Sequence, residues 1–143
     1  MREVASLDGN APPASDPQPY AGPSENHVKT FAQTLDLIDD PERIAEYDRY
    51  HVAAWPEVTR GLREIGIQRM LIWRTGSRLF MMFEAPDDFN PDHDYQRYAE
   101  DPRCQEWDTL MRTYQQRIPS ASETDQRWWT SMDLVFDLEA QRP

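Results

Sequence analysis

"IQRMLIWRTGSRLFMMFEA", residues 67–85, is the stretch whose reading decides the fold. Two apolar runs flank Thr75-Gly76-Ser77, and a short glycine-bearing break between such runs signals a β-hairpin. Side chains along a strand alternate between its two faces. Met70 and Ile72 therefore oppose Leu71 and Trp73, while Phe80 and Met82 oppose Met81 and Phe83. A hairpin that is apolar or amphipathic on both faces is expected to be buried on both. Helices can cover one face. A second copy of the chain is the economical cover for the other, so a homodimer is expected.

Outward from the hairpin the pattern is regular. Upstream, "VKTFAQTLDL" (28–37) sets Phe31, Gln33, Leu35 and Leu37 on one face, a strand period. "DDPER" supplies an N-cap at Asp39 or Asp40, with Pro41 at the first helical position. Ile44, Tyr47, His51, Trp55 (or Ala54), Val58, Leu62 and Ile65 follow at helical spacing, and Gly66 ends the run. Downstream, "PDDFNPDHDY" reads as loop, and helices are expected over roughly 93–100 and 102–115. "WWTSMDLVFDL" (128–138) is expected to close the domain as a strand, with Met132, Leu134, Phe136 and Leu138 on one face. The order is β-α-β-β-α-β, an α+β chain of the ferredoxin-like type with one antiparallel sheet and helices on one face. Residues 1–27 hold five of the twelve prolines without apolar periodicity; a disordered tail is expected there, and one domain over 28–143.

Composition excludes several functions. A net charge of −11 opposes binding to nucleic acid or anionic membrane. No apolar run approaches the ~20 residues of a membrane span, and no signal peptide is apparent. A single cysteine, Cys104, forms no internal disulfide, so a cytoplasmic address is expected. His27, His51 and His93 are far apart, there is no HxxxH or CxxC pair, and phosphate-cradling loops and serine-nucleophile motifs are absent. No transition-metal site is expected. The acidic group Asp87, Asp88, Asp92 and Asp94 lacks the EF-hand pattern and its glycine, and reads as a solvated loop. Acid–base chemistry or plain binding remains.

"EYDRYHVAAWPE" (46–57) is the candidate. Positions i and i+4 share a helical face, so Tyr47 and His51 present a phenol and an imidazole side by side, just before a Trp-Pro step. A core face would be better served by leucine at both. Taken alone, His51 reads as a satisfied structural histidine, and Trp107 as pocket wall or core.

"EYDRYHVAAWPEV", "GIQRMLIWR", "LFMMFE" and "DPRCQEWDTLM", in this order, resemble the L-rhamnose mutarotase family over residues 30–138. Gln115-Gln116 and Trp129 resemble a variety of that family associated with L-fucose. The resemblance implies a dimeric α/β barrel that interconverts the α and β anomers of a 6-deoxy-hexose, L-rhamnose or L-fucose, without cofactor. It also implies His51 as the proton donor and Tyr47 and Trp107 as sugar-binding residues. Met70 stands where the family has a sugar-touching aromatic, and Asp108 where it has a second tryptophan. Both departures bear on the identity of the sugar. Arg69 on the second strand and Glu84 on the third are candidates by position to fix sugar hydroxyls. The rival reading is a non-catalytic small-molecule-binding or cofactor-free oxygenase module of the same shape, since one architecture hosts many functions.

Overall fold

The computed structural model describes residues 27–121 and 127–141. Its elements are β1 (Val28–Leu37), α1 (Pro41–Val52), α2 (Pro56–Glu64), β2 (Arg69–Thr75), β3 (Arg78–Pro86), α3 (Pro91–Tyr98), α4 (Pro102–Arg112), β4 (Gln115–Gln116) and β5 (Thr130–Ser131), then a 3₁₀ turn over Leu138–Ala140. Except for His27, the N-terminal tail expected over 1–27 lies outside the described residues.

Proline opens all four α-helices among the described residues, at the position where its missing N–H costs nothing. At three of them an Asx side chain completes the cap: Asp40 accepts from the Glu42 N–H, Asn90 from Asp92 and Asp101 from Arg103. Such a cap contributes ~1 kcal/mol. Asn90-Pro91 thus starts α3 two residues earlier than the periodicity indicates, because Asp92 and Asp94 belong to a capped first turn rather than to a loop. The long helical run through His51 is two helices. Pro56 cannot donate to the preceding turn, so α1 ends at Val52 and α2 begins afresh after Trp55.

β2 and β3 pair as the hairpin, turning at Gly76 (φ +57°) and Ser77. β1 lies antiparallel to β3 along nine residue pairs. The sheet order is β2-β3-β1, with β4 and β5 both on the far side of β1. Register assigns the faces. Phe31, Gln33, Leu35 and Leu37 of β1 stand level with Phe83, Met81 and Leu79 of β3, and these with Met70, Ile72 and Arg74 of β2. This face carries the helices and the core, in which Phe83, Leu35, Leu79 and Cys104 are fully buried. The other face presents Ala32 and Thr34, Phe80, Met82 and Glu84, and Arg69, Leu71 and Trp73. No described element covers it. Trp73, 44% exposed, stacks there on Phe80 at 5.4 Å.

The expected closing strand is corrected in part. Only Thr130–Ser131 pairs with β1, and the Met132 N–H donating to the Ala32 carbonyl is the last bond of the ladder. Beyond it Val135, Phe136 and Leu138 are 94%, 61% and 73% exposed. The alternation of Met132, Leu134, Phe136 and Leu138 is a strand pattern with no neighbouring strand among the described residues to pair with. β4 meets β1 instead at Asp36 and Leu37, so the fourth strand is shared between two short segments.

Candidate functional site

His51 lies in the last turn of α1, with Tyr47 one turn before it. The two rings are 4.4 Å apart and tilted. Trp107, from the buried face of α4, sets its edge against the imidazole at 5.3 Å and meets Trp55 at the same distance. Tyr50 closes the group, 6.1 Å from both Trp107 and Tyr114. His51 and Tyr47 share a cleft of about 220 Å³ with Asp48, Val52, Ile72, Arg74 and Leu79. The cleft therefore lies between α1 and the helix-bearing face of the hairpin.

The His51 Nδ1 atom lies 2.9 Å from the Tyr47 carbonyl oxygen. A carbonyl only accepts, so this bond puts the proton on Nδ1 and leaves Nε2 with a free lone pair in the neutral ring. The residue keeps much of its surface open to water, yet its ring is crowded by Tyr47 and Trp107. Desolvation lowers its pKa below the ordinary 6.5; the bond to the Tyr47 carbonyl and the Asp48 carboxylate oppose this in part. Tyr47 is 3% exposed, and burial pushes its phenol up to about 12, so it stays protonated. Gln115, buried at the start of β4, donates to the Tyr47 hydroxyl at 3.5 Å.

Asp48 and Arg74 stand at the same cleft as a two-pronged ion pair. Arg74 Nε donates to Asp48 Oδ1 at 3.1 Å and Nη2 to Oδ2 at 2.6 Å, while Nη1 donates to the Gly76 carbonyl at 2.9 Å. Sequence reasoning missed both residues. Asp48 precedes His51 by three positions, a face-sharing spacing, but nothing short of the packing of α1 over β2 shows a partner 26 residues away.

The remaining candidates are dispersed. Trp107 is 6% exposed and reaches the site only through its ring contact with His51. Met70 is on the helix-bearing face but packs against the core, two residues before Ile72. Asp108 points away from the cleft, toward α3, where the Tyr98 hydroxyl donates to its carboxylate at 3.4 Å; burial raises its pKa, partly offset by Arg112. Arg69 and Glu84 face each other across β2 and β3 on the open side of the sheet, so neither is brought to His51. The parity of the strands accounts for this: both are odd-numbered steps from the cleft residues they accompany. A larger recess, about 310 Å³, lies beside α3 between Phe89 and Arg97; its histidine, His93, is exposed and stands apart from the aromatic group. Among the described residues no helix is long and apolar enough to cross a membrane, and no three His, Cys, Asp or Glu side chains gather to hold a metal ion.

A profile of the L-rhamnose mutarotase family matches residues 30–138, from the first strand past the last. The chain belongs to that family. It is thereby a carbohydrate isomerase of the mutarotase type. It is similar to a UPF0734 protein of Dictyostelium discoideum, 48% identical over 78% of this chain and 90% of the relative. It is also similar to the L-fucose mutarotase of Xanthomonas campestris, 37% identical over 78% and 89%. The crystal structure of an L-rhamnose mutarotase from Formosa agariphila shares the fold, with a TM-score of 0.53 at 19% identity, covering 76% of this chain and 96% of that one.

Proposed function

We propose that the protein interconverts the α and β anomers of a 6-deoxy-hexose, L-fucose or L-rhamnose, with His51 moving the proton. The observation that carries this reading is the His51 ring beside Tyr47 and Trp107, its Nδ1 proton committed to the Tyr47 carbonyl and its Nε2 left as the base. Nε2 takes the proton of the anomeric hydroxyl as the bond from the anomeric carbon to the ring oxygen breaks and a carbonyl forms. The imidazolium then returns that proton to the former ring oxygen. Rotation about the bond to the carbonyl carbon and reclosure by the reverse steps give the other anomer, with no net proton change. A group that both gives and takes a proton near neutrality suits this, and positioned transfer contributes roughly 10²–10⁴-fold. The Tyr47 hydroxyl, protonated throughout, supplies a polar contact, and the ring of Trp107 backs the imidazole.

The 37% identity to an L-fucose mutarotase favours L-fucose as the better substrate. Met70 and Asp108 do not border the cleft, so their departure from the family pattern acts on packing around the site rather than on the sugar. The enzyme works as a homodimer joined through the open sheet face, where Leu71, Trp73, Phe80 and Met82 await a cover.

Saturation-transfer NMR between the anomeric protons of L-fucose and of L-rhamnose, with and without protein, tests the reading. Faster exchange for at least one sugar is expected. Exchange no faster than in buffer for both would overturn it.

A further inference from the structure

The cleft is walled by Ile72, Leu79, Val52 and aromatic rings, and its charged groups are Asp48 and Arg74. We infer that this pair is a bracket for two adjacent hydroxyls of the sugar, and that it selects the monosaccharide by their relative orientation. The inference rests on the mutarotase reading for its substrate class and deepens it.

Hydrogen-bond capacity is the first support. A guanidinium has five N–H groups. Arg74 spends one at Nε and one at Nη2 on Asp48 and one at Nη1 on the Gly76 carbonyl, leaving one on each terminal nitrogen. A carboxylate offers about four acceptor sites, of which this one uses two. A vicinal diol needs the same mixture, since each hydroxyl both donates and accepts. Orientation is the second support. The bond to Gly76, in the hairpin turn, fixes the guanidinium plane before a ligand arrives, and Asp48 is fixed by the helix that carries His51. A fork held in this way loses little freedom on binding. The third is stability. Arg74 and Asp48 side chains are 34% and 45% exposed, and an ion pair so open to water does little for the fold. Its geometry is available for recognition. L-Rhamnose carries its cis diol at C2–C3 and L-fucose at C3–C4, so a bracket fixed relative to His51 discriminates between them.

The test measures anomer exchange against sugar concentration for both sugars in the full chain, its Asp48→Asn variant and its Arg74→Lys variant. Each variant is expected to raise KM for the preferred sugar roughly 10-fold, the size of one good charge-assisted contact, to change kcat less than about threefold, and to narrow the ratio between the sugars. Arg74→Lys keeps the charge and the ion pair but not the fork, so it would restore a purely structural pair and does not restore a bracket. Folded variants with wild-type KM and an unchanged sugar ratio would overturn the inference while leaving the mutarotase reading intact. If the wild-type protein accelerates neither exchange, the mutarotase reading falls by itself. The bracket is then decided by titrating ¹⁵N-labelled wild-type protein with each sugar: a saturable shift of the Arg74 Nε–H resonance supports it, and no shift for either sugar overturns it.

Discussion

A neutral imidazole has two tautomers, and the bond from His51 Nδ1 to the Tyr47 carbonyl selects one. Nitrogen NMR of labelled protein should find the Nδ1–H form dominant above the pKa, and an Nε2–H form would contradict the assigned base. His51→Asn removes titration while keeping size, so exchange should fall roughly 10²-fold or more with the melting temperature little changed; a folded variant with full activity would return His51 to a structural role. The lowered pKa sets the pH behaviour. The unfolded chain binds the His51 proton from about 6.5 downward while the folded one resists it, so this residue's contribution to stability falls as pH drops through that window. The exchange rate, if the neutral ring is the base, should reach its half-maximum below 6.5, and His51→Asn should lose that inflection. Asp108 has the opposite sign. Its raised pKa means that the folded state gains protons more readily than the unfolded, so its charge weakens the fold at neutral pH and protonation relieves it. Asp108→Asn should therefore hold or raise thermal stability at pH 7, and a marked fall would show that the ionised carboxylate is wanted by Tyr98. The adjacency of the Tyr47 and His51 rings was legible from their i, i+4 spacing; the pairing of Asp48 with Arg74 was not, because it exists only once α1 lies on β2.

The helices and the hairpin could be read with similar ease, since caps, prolines and alternation are local signals. Asp40-Pro41 and Asp101-Pro102 announce α1 and α4, and Gly76 announces the turn. The closing strand was legible only in part, since Thr130–Ser131 pairs with β1 and the residues after it do not. Alternation over 132–138 states that one face wants burial, but not whether this chain supplies the neighbour, and here β1 offers only Gln33 and Thr34 to β5. Gly61 illustrates another limit. In a helix interior glycine is less favourable than alanine by ~1 kcal/mol, so α2 invites Gly61→Ala on propensity alone. A Cβ there would lie 3.1 Å from both Cys104 Sγ and Tyr98 Cδ1, where α2 crosses α4 and α3. Overpacking of this kind costs about 1–3 kcal/mol. Gly61→Ala should therefore lower the unfolding midpoint in urea; an unchanged or higher midpoint would mean that the crossing has slack.

The single sheet serves two bodies of contact. Its covered face holds the core and the cleft, and its bare face holds Trp73 stacked on Phe80 beside Leu71 and Met82. Sedimentation should find dimers at micromolar protein, and Trp73→Glu should shift them toward monomer by placing a charge in the contact. Monomers alone in the wild type would leave that face without a cover. The exposed Val135, Phe136 and Leu138 should gain amide-exchange protection on association if the second copy also receives this segment. Strand parity then has a genetic consequence. Along β2, Met70, Ile72 and Arg74 face the helices, while Arg69, Leu71 and Trp73 face outward. Selection for growth on a sugar and selection for soluble assembly would read alternate codons of one seven-residue stretch. In a saturation library of the β2 codons the two screens should deplete interleaved, nearly disjoint sets of positions, a comb with two owners.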